Sequence, residues 1–312
     1  MSILTFNRRV PYAVRLLAVV VVGLLLFGSL ESALAIAGKI GGAAADCPWP
    51  RTAMFGLDLM RLEKWRVING LQLQLQSEDT ALGIEQFSTG GRAFWIKKAG
   101  TARNGKELLS YLLSDHSWMA EINGANHVKK GDVVFDCGAH VGVFTDIALR
   151  RGASKVVAIE PDPTNLECLR RNFPTEIAAG VVVLVPKGVW STEKTLTLYA
   201  GTENSGTNSM IFHHKGAEIS VPVTTVDRLA EQLHLGRVDF IKMDIEGAER
   251  EALRGGFHTL ARDIPTLMID MYHRPDDLQV LPAVIHEGNS NYRMTCGPCE
   301  ETLSPHVSYF HR

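Results

Sequence analysis

Two short stretches bring together residue types that could do chemistry. In Val133–Thr145, VVFDCGAHVGVFT, an apolar run ends on Asp136, and Gly138 and Gly142 come next with His140 between them. In Asp239–Leu253, DFIKMDIEGAEREAL, a second apolar run ends on Asp244, with Glu246, Gly247 and Glu249 just beyond. Glycines after a strand let the chain turn sharply and let a ligand approach the backbone with no Cβ in the way. A tight strand-to-helix connection needs the same glycines, so the turn takes its meaning from residues farther along the chain. Glu160 closes KVVAIE, 18 residues past Gly142, where a carboxylate can accept both hydroxyls of a ribose.

Three details narrow the ligand. No Lys-Ser/Thr pair succeeds the glycines, as a phosphate-gripping loop would need. Glu160 and Asp162 set two carboxylates where a 2′-phosphate would need a cation. Ala139-His140 stands where a glycine would let a pyrophosphate come close. A nucleoside with ribose hydroxyls and no phosphate fits these residues, and S-adenosylmethionine is the candidate. Gly138, Gly142, Glu160 and Asp162 are then expected at the cofactor, with His140 in the loop beside it and without a proton-transfer role.

Asp244 and Glu246 belong to the same carboxyl edge. Carboxylates there can serve as a general base on an acceptor hydroxyl, or hold the ammonium group of a sulfonium ligand. Glu246 and Glu249 are equally placed to favour a helix N-terminus electrostatically. His273, beyond the next strand, is the alternative to Asp244 as proton acceptor, and reads equally as a solvated loop residue. Asp244, Glu246 and Asp270 could join at a metal, but they also suit capping and strand ends, so no metal site is assigned.

These residues need a scaffold, and from Gly131 strand and helix patterns alternate. DVVFD, KVVAIE, VVVLVP, TLTLYA, VPVTT, VDFIKMD and PTLMIDM read as strands. VPVTT reads as an edge strand, since Pro222 cannot donate to a ladder. Gly142–Arg151, Pro163–Asn172, Val226–Leu235 and Gly247–Leu253 read as helices, the second with proline at its first turn. Short continuous apolar strands separated by helices predict a doubly wound, Rossmann-like α/β domain over residues 128–312, its mainly parallel sheet covered on both faces. Ligands of such sheets sit outside the carboxyl ends of the strands, near the switch in strand order. Upstream, residues 51–127 form an accessory region expected to pack on this domain. There LQLQLQ (Leu71–Gln76) alternates as a half-buried strand would, RAFWIKK gives a second strand, and Glu107–Ile122 carries apolar residues at helical spacing.

The chain has 312 residues, 46% apolar and 21% charged, enough for a sizeable core, and its formal charge of −2 gives no field that would draw nucleic acid. Five cysteines are too few for a disulfide scaffold. CGPC at Cys296–Cys299 has dithiol spacing, but only 13 residues lie beyond it, whereas a redox fold carries the motif early. A local disulfide, half of a metal site and two free thiols all fit. Arg8, Arg9 and Arg15 precede the uncharged run Leu16–Leu30, and Ala33-Leu34-Ala35 offers a cleavage site. Residues 1–37 read equally as a cleaved secretory signal or, with the span starting near Val10, as an uncleaved membrane anchor. Either places the C-terminal part of the chain away from the cytoplasm. Residues 38–50, GKIGGAAADCPWP, read as a linker.

With these stretches in hand, the chain resembles the FkbM family of class I, S-adenosylmethionine-dependent methyltransferases. The resemblance rests on FDCGAHVGVFT, AIEPDP (Ala158–Pro163), VPVTTVDRLAE (Val221–Glu231), DFIKMDIEGAE and IDMYHRPDD (Ile269–Asp277), in that order. It implies a seven-stranded sheet whose final pair comes from pieces such as YRMT and VSYFH. It also implies a cofactor site lined by Asp136, Gly138, Gly142 and Glu160, with Asp244 at the catalytic edge. The expected reaction is methylation of a hydroxyl on a small-molecule or glycan acceptor. Two rivals stand beside it. An NAD-dependent oxidoreductase shares the strand-end acid but needs a third close glycine, which the turn lacks. A membrane-tethered nucleoside-binding module would keep the fold without the reaction.

Overall fold

The computed structural model describes residues 18, 71–89, 91–98, 104–122, 127–201, 205–296, 299–300, 304–305 and 307–312. The expected targeting segment and linker lie outside the described residues apart from Ala18, and so do the side chains of Cys296 and Cys299. No helix among the described residues is long and apolar enough to cross a membrane.

In chain order, β1 (Gln74–Asp79), β2 (Ile84–Thr89) and β3 (Arg92–Lys97) form an antiparallel sheet, followed by α1 (Gly105–Ile122). Then come β4 (Val133–Cys137), α2 (Val143–Arg150), β5 (Lys155–Ile159), α3 (Pro163–Asn172), α4 (Pro174–Ala178) and β6 (Val182–Val185). A small sheet intervenes, built from β7 (Gly188–Val189), β8 (Lys194–Tyr199) and β9 (Glu218–Thr224). The main sheet resumes through α5 (Val226–Gln232), β10 (Phe240–Met243), α6 (Glu249–Arg254), α7 (Phe257–Asp263), β11 (Thr266–Asp270), α8 (Asp277–Gly288) and β12 (Arg293–Cys296). A short pair, β13 (Cys299–Glu300) with β14 (Ser304–Pro305), precedes the last strand, β15 (Val307–His311). Residues Lys64–Gly297 and Val307–Arg312 make one compact unit.

The main sheet has seven strands in the order β6-β5-β4-β10-β11-β15-β12. It is parallel except for β15, which runs antiparallel to both its neighbours. Strands β4, β5, β10, β11 and β15 are buried on both faces along most of their length, as a helix-covered sheet requires, while the edge strand β12 is largely exposed. Phe135, Cys137, Ile241, Met243, Leu267 and Ile269 point into a core shared with α5, α6, α7 and α8. The alternating residues Asp136 and Lys242 fall on the other face by the period of two along a strand.

Several boundaries differ from the sequence expectations. Strand β1 starts three residues later than the Leu71–Gln76 alternation predicts and is exposed, with Leu75 half in solvent, so the alternation does not mark a half-buried face. The strands read from TLTLYA and VPVTT leave the main sheet and form the small one instead. Within it β9 is the middle strand, yet β7 reaches only Val223 and Thr224, so Pro222 has a ladder partner on one side only. Helix α3 matches its sequence signals, because Asp162 caps it through the Thr164 and Asn165 amides and Pro163 opens it.

A buried amide on α3 helps to join the three-stranded antiparallel sheet to the main domain, beside the Arg171–Asp79 ion pair. Asn172 Oδ1 accepts from the Trp95 backbone N–H at 2.6 Å, and its Nδ2 donates to the carbonyls of Trp95 (3.1 Å) and Val141 (2.8 Å). Arg92 adds an ion pair to the buried Asp146 at 2.7 Å and lies over the Phe173 ring. Replacing Asn172 with alanine leaves three buried backbone groups unmatched and is expected to lower the unfolding free energy by about 2–3 kcal/mol, read by urea denaturation.

Candidate active site

The order of strands switches between β4 and β10, and there the two motif turns meet. Gly138 has φ 76°, and a Cβ on it would overlap the carbonyl oxygen of Asp244. Only glycine lets the turn after β4 lie against the turn after β10. Gly142, at φ 89°, has a different reason: a Cβ there would overlap the Phe173 ring, so it serves helix packing and not ligand approach. His140 and Glu246 hold positive φ values of 50° and 53°, one in each turn. Non-glycine residues persist in that region where the surroundings enforce it, and such positions cluster at functional sites.

These turns edge a cavity of about 350 Å³, lined by Gly138, His140, Glu160, Lys242, Asp244 and Glu246 among others, with Leu108, Tyr111 and Leu112 from α1 on its wall. Glu160 is buried, and its carboxylate accepts the backbone N–H groups of Asp162 and His140, both at 2.9 Å. Burial pushes its pKa up to about 7, against the lowering effect of those two amides. Asn165 reaches the same carboxylate at 3.4 Å and lines the cavity too.

Lys242, to which no sequence motif assigns a role, is the buried cation of the site. Its Nζ donates to the Gly138 carbonyl at 3.0 Å and lies 3.7 Å from Asp136 and 3.9 Å from Asp244. Burial alone would neutralise it, but the charges of Asp244 and Asp136 outweigh that and raise its pKa. The signal for it in the sequence is a lysine inside the apolar strand FIKM.

Not every expected residue faces the cavity. Asp136 is fully buried and accepts from the Thr145 hydroxyl at 2.7 Å, so it supports Lys242 and α2 from behind. Asp162 caps α3 and accepts from Asn208 Nδ2 at 2.9 Å, tying the Asn208 loop to the helix start. Glu249 opens α6 and accepts the Ile245 N–H at 2.9 Å, which fastens the turn ahead of the helix and caps none of the helix's own amides. His273 is not a solvated loop residue. Its ring is 3% exposed and stands behind Asp244 and Glu246, 3.5 Å and 3.6 Å away, with Glu249 at 3.1 Å. Burial opposes its charge, but Glu249, Glu246 and Asp244 outweigh that and hold its pKa well above the usual value. Carboxylates around the ring favour its charged form, which works against His273 as the proton acceptor and leaves Asp244, on the cavity wall, as the candidate base. Asp270 does not join Asp244 and Glu246; His273 takes that place.

Residues 136–294, half of the chain, match the family model described as the Methyltransferase FkbM domain. Methyltransferase 1 of Beauveria bassiana is 29% identical over 143 residues, covering 39% of this chain and 57% of that protein. Hexuronic acid methyltransferase AglP of Haloferax volcanii is 27% identical over 129 residues, covering 41% of this chain and 51% of that protein. The chain thus spans about half the length of the curated relatives it matches. The crystal structure of methyltransferase FkbM from Methylobacillus flagellatus aligns at 20% identity and a TM-score of 0.47, over 65% of this chain and 53% of that one.

The geometry sets two expected outcomes. Gly138→Ala forces both a strained φ and a clash with Asp244, and is expected to cost on the order of 2 kcal/mol or more in urea denaturation. Glu160 gives a pH signature. Its folded pKa, near 7, lies above the ordinary 4.5, so the protonated acid favours the folded state. That contribution is whole below about pH 4.5 and lost as pH rises through about 7, a change on the order of 3 kcal/mol. Unfolding free energies measured from pH 5 to 8 are expected to show this fall in the wild type and not in Glu160→Gln.

Proposed function

The chain belongs to the FkbM family of methyltransferases, and from that membership we propose that it transfers the methyl group of S-adenosylmethionine to a hydroxyl oxygen of a sugar or natural-product-like acceptor. The observation that carries the donor assignment is Glu160. Its carboxylate stands at the end of β5, faces the cavity, and is held in place by two backbone amides, ready to accept the hydroxyls of a ribose. Asp244 borders the same cavity from the neighbouring turn. The name of the Haloferax volcanii relative, a hexuronic acid methyltransferase, supports a sugar-like acceptor. Methyltransferase membership favours this reading over the oxidoreductase and the non-catalytic ones.

In this reading the acceptor oxygen attacks the sulfonium methyl carbon in line with the departing sulfur. An O–C bond forms, the C–S bond breaks with its electron pair on sulfur, and the donor leaves as a neutral thioether. The acceptor's proton passes to Asp244, from which solvent removes it. The protein supplies orientation and desolvation, and the donor supplies the electrophile. Lys242 keeps the Gly138 turn and Asp244 in register, and His273 positions Asp244 and Glu246. Glu246, with the other face of the cavity, is suited to the donor's ammonium group.

The N-terminal segment adds a proposal of place. Three arginines ahead of an uncharged run are the pattern of a signal or anchor, which would direct the catalytic part to a membrane and away from the cytoplasm. A reporter fused after Pro50 would read its side.

Calorimetry with S-adenosylmethionine tests the donor. Saturable binding is expected, weakened about tenfold or more in Glu160→Gln. Because ribose hydroxyls donate to the ionised acid, wild-type affinity should rise from pH 6 to 8, and the variant should lose that dependence. Binding of NAD in place of the sulfonium donor would refute the assignment. Transfer of labelled methyl into a sugar-containing extract should fall on the order of a hundredfold in Asp244→Asn, the scale of a lost general base.

A further inference from the structure

We propose that Asp244, Glu246 and His273 form a divalent-cation site on the wall of the cavity, with a donor set suited to a transition ion such as Mn²⁺ or Zn²⁺. The methyl-transfer reading does not require it, although both readings draw on Asp244 and Glu246, and the site stands on its own geometry.

One donor atom from each residue lies within 4.8 Å of the other two. His273 Nε2 is 3.5 Å from Asp244 Oδ1 and 3.6 Å from Glu246 Oε2. Both separations are too long for a hydrogen bond. They do match two ligands on one ion. Donors about 2.1 Å from a tetrahedral centre sit about 3.4 Å apart, and about 3.0 Å apart around an octahedral one.

The imidazole supplies an independent sign. It is 97% buried, as its 3% exposure shows, and neither ring nitrogen has a hydrogen-bond partner among the described residues. Buried polar groups left in that state are uncommon and call for an explanation. Here Nε2 lies 3.5 Å and 3.6 Å from the two carboxylates that border the cavity, and an ion bound there takes the place of the Nε2 proton. On the far side, Nδ1 lies 3.1 Å from Glu249 Oε1, an oxygen already fixed by the Ile245 N–H. With an ion on Nε2, a small turn of the ring would let Nδ1 donate to Glu249, the arrangement that orients metal-bound histidines.

The carboxylates are open where the imidazole is closed. Asp244 and Glu246 keep 28% and 21% of their side chains exposed, so an ion held there has coordination positions left for water or an acceptor oxygen. One imidazole nitrogen with two carboxylate oxygens suits Mn²⁺ or Zn²⁺ better than Ca²⁺ or Mg²⁺, which favour all-oxygen sets.

The test uses the full chain after EDTA treatment, titrated with Mn²⁺ and followed by the electron paramagnetic resonance of the free ion. Binding of one equivalent is expected, weakened more than tenfold by His273→Ala and by Glu246→Gln, with Mg²⁺ a poor competitor. Should a variant fail to fold, Co²⁺ added to the wild type must give the visible bands of a nitrogen- and oxygen-ligated ion, and Mn²⁺ must raise its melting temperature. No Mn²⁺ binding by the wild type, or equal binding by the folded variants, overturns the site. Donor binding measured on the same EDTA-treated protein keeps the two readings apart. If that binding is intact and lost in Glu246→Gln while Mn²⁺ does not bind, the carboxylates serve the donor's ammonium group and the metal site is wrong.

Discussion

Between β4 and β10 two strand-end turns are pressed together until no side-chain carbon fits between Gly138 and the Asp244 carbonyl. Lys242 closes the joint from below, donating to the Gly138 carbonyl and standing between Asp136 and Asp244. A buried lysine is tolerable only when paired and hydrogen-bonded. Its partners are the acid that ends one strand and the acid just beyond the other. The charge that stabilises the joint therefore also ties the two motif turns to each other. Parallel pairing of Lys242 with Asp136 in the sheet register puts both on the same face, which makes the contact a direct consequence of the strand alignment.

Around that joint the site is crowded with acids. Glu160 and Glu246 both have pKa values raised by burial, which means the cofactor-free cavity holds negative charge at a cost. A ligand that brings positive charge or hydrogen-bond donors relieves the cost. A sulfonium donor with a ribose diol and an ammonium group brings both, and a cation beside His273 relieves the part farthest from Glu160.

How much of this is legible in the sequence varies with the kind of interaction. The order of strands and helices, the two acids at the ends of β4 and β5, and the cap of α3 depend on local pattern, so they are readable. The final pair, β12 and β15, comes from the family resemblance. Lys242 escapes a sequence reading because a charge inside an apolar run is unexplained until the neighbouring strand is known. His273 stays between base and solvated loop because its burial depends on α6 and the Glu246 turn, which sequence distance does not reveal. Helix α6 begins at Glu249, two residues late, since Glu246 and Gly247 adopt left-handed conformations that a helix cannot include. Asn172 carries no local signal at all; its importance lies in contacts 77 and 31 residues away.

Each of the two turns is fixed by its own set of groups. The β4 turn is fixed on three sides: by Glu160 through the His140 N–H, by Lys242 through the Gly138 carbonyl, and by Phe173 against Gly142. The β10 turn is fixed from behind, by Ser209 donating to the Glu246 carbonyl, Glu249 holding the Ile245 N–H, and Arg274 donating to the Gly247 carbonyl. Those three clamps hold the backbone of the turn, while the Asp244 and Glu246 carboxylates border the cavity with His273 against both and Lys242 against Asp244. Methyl transfer in line needs a donor that does not move and an acceptor whose oxygen can be brought to it. In the proposed reaction both turns border the cavity where donor and acceptor would meet, and they do so because Gly138 allows the two to touch.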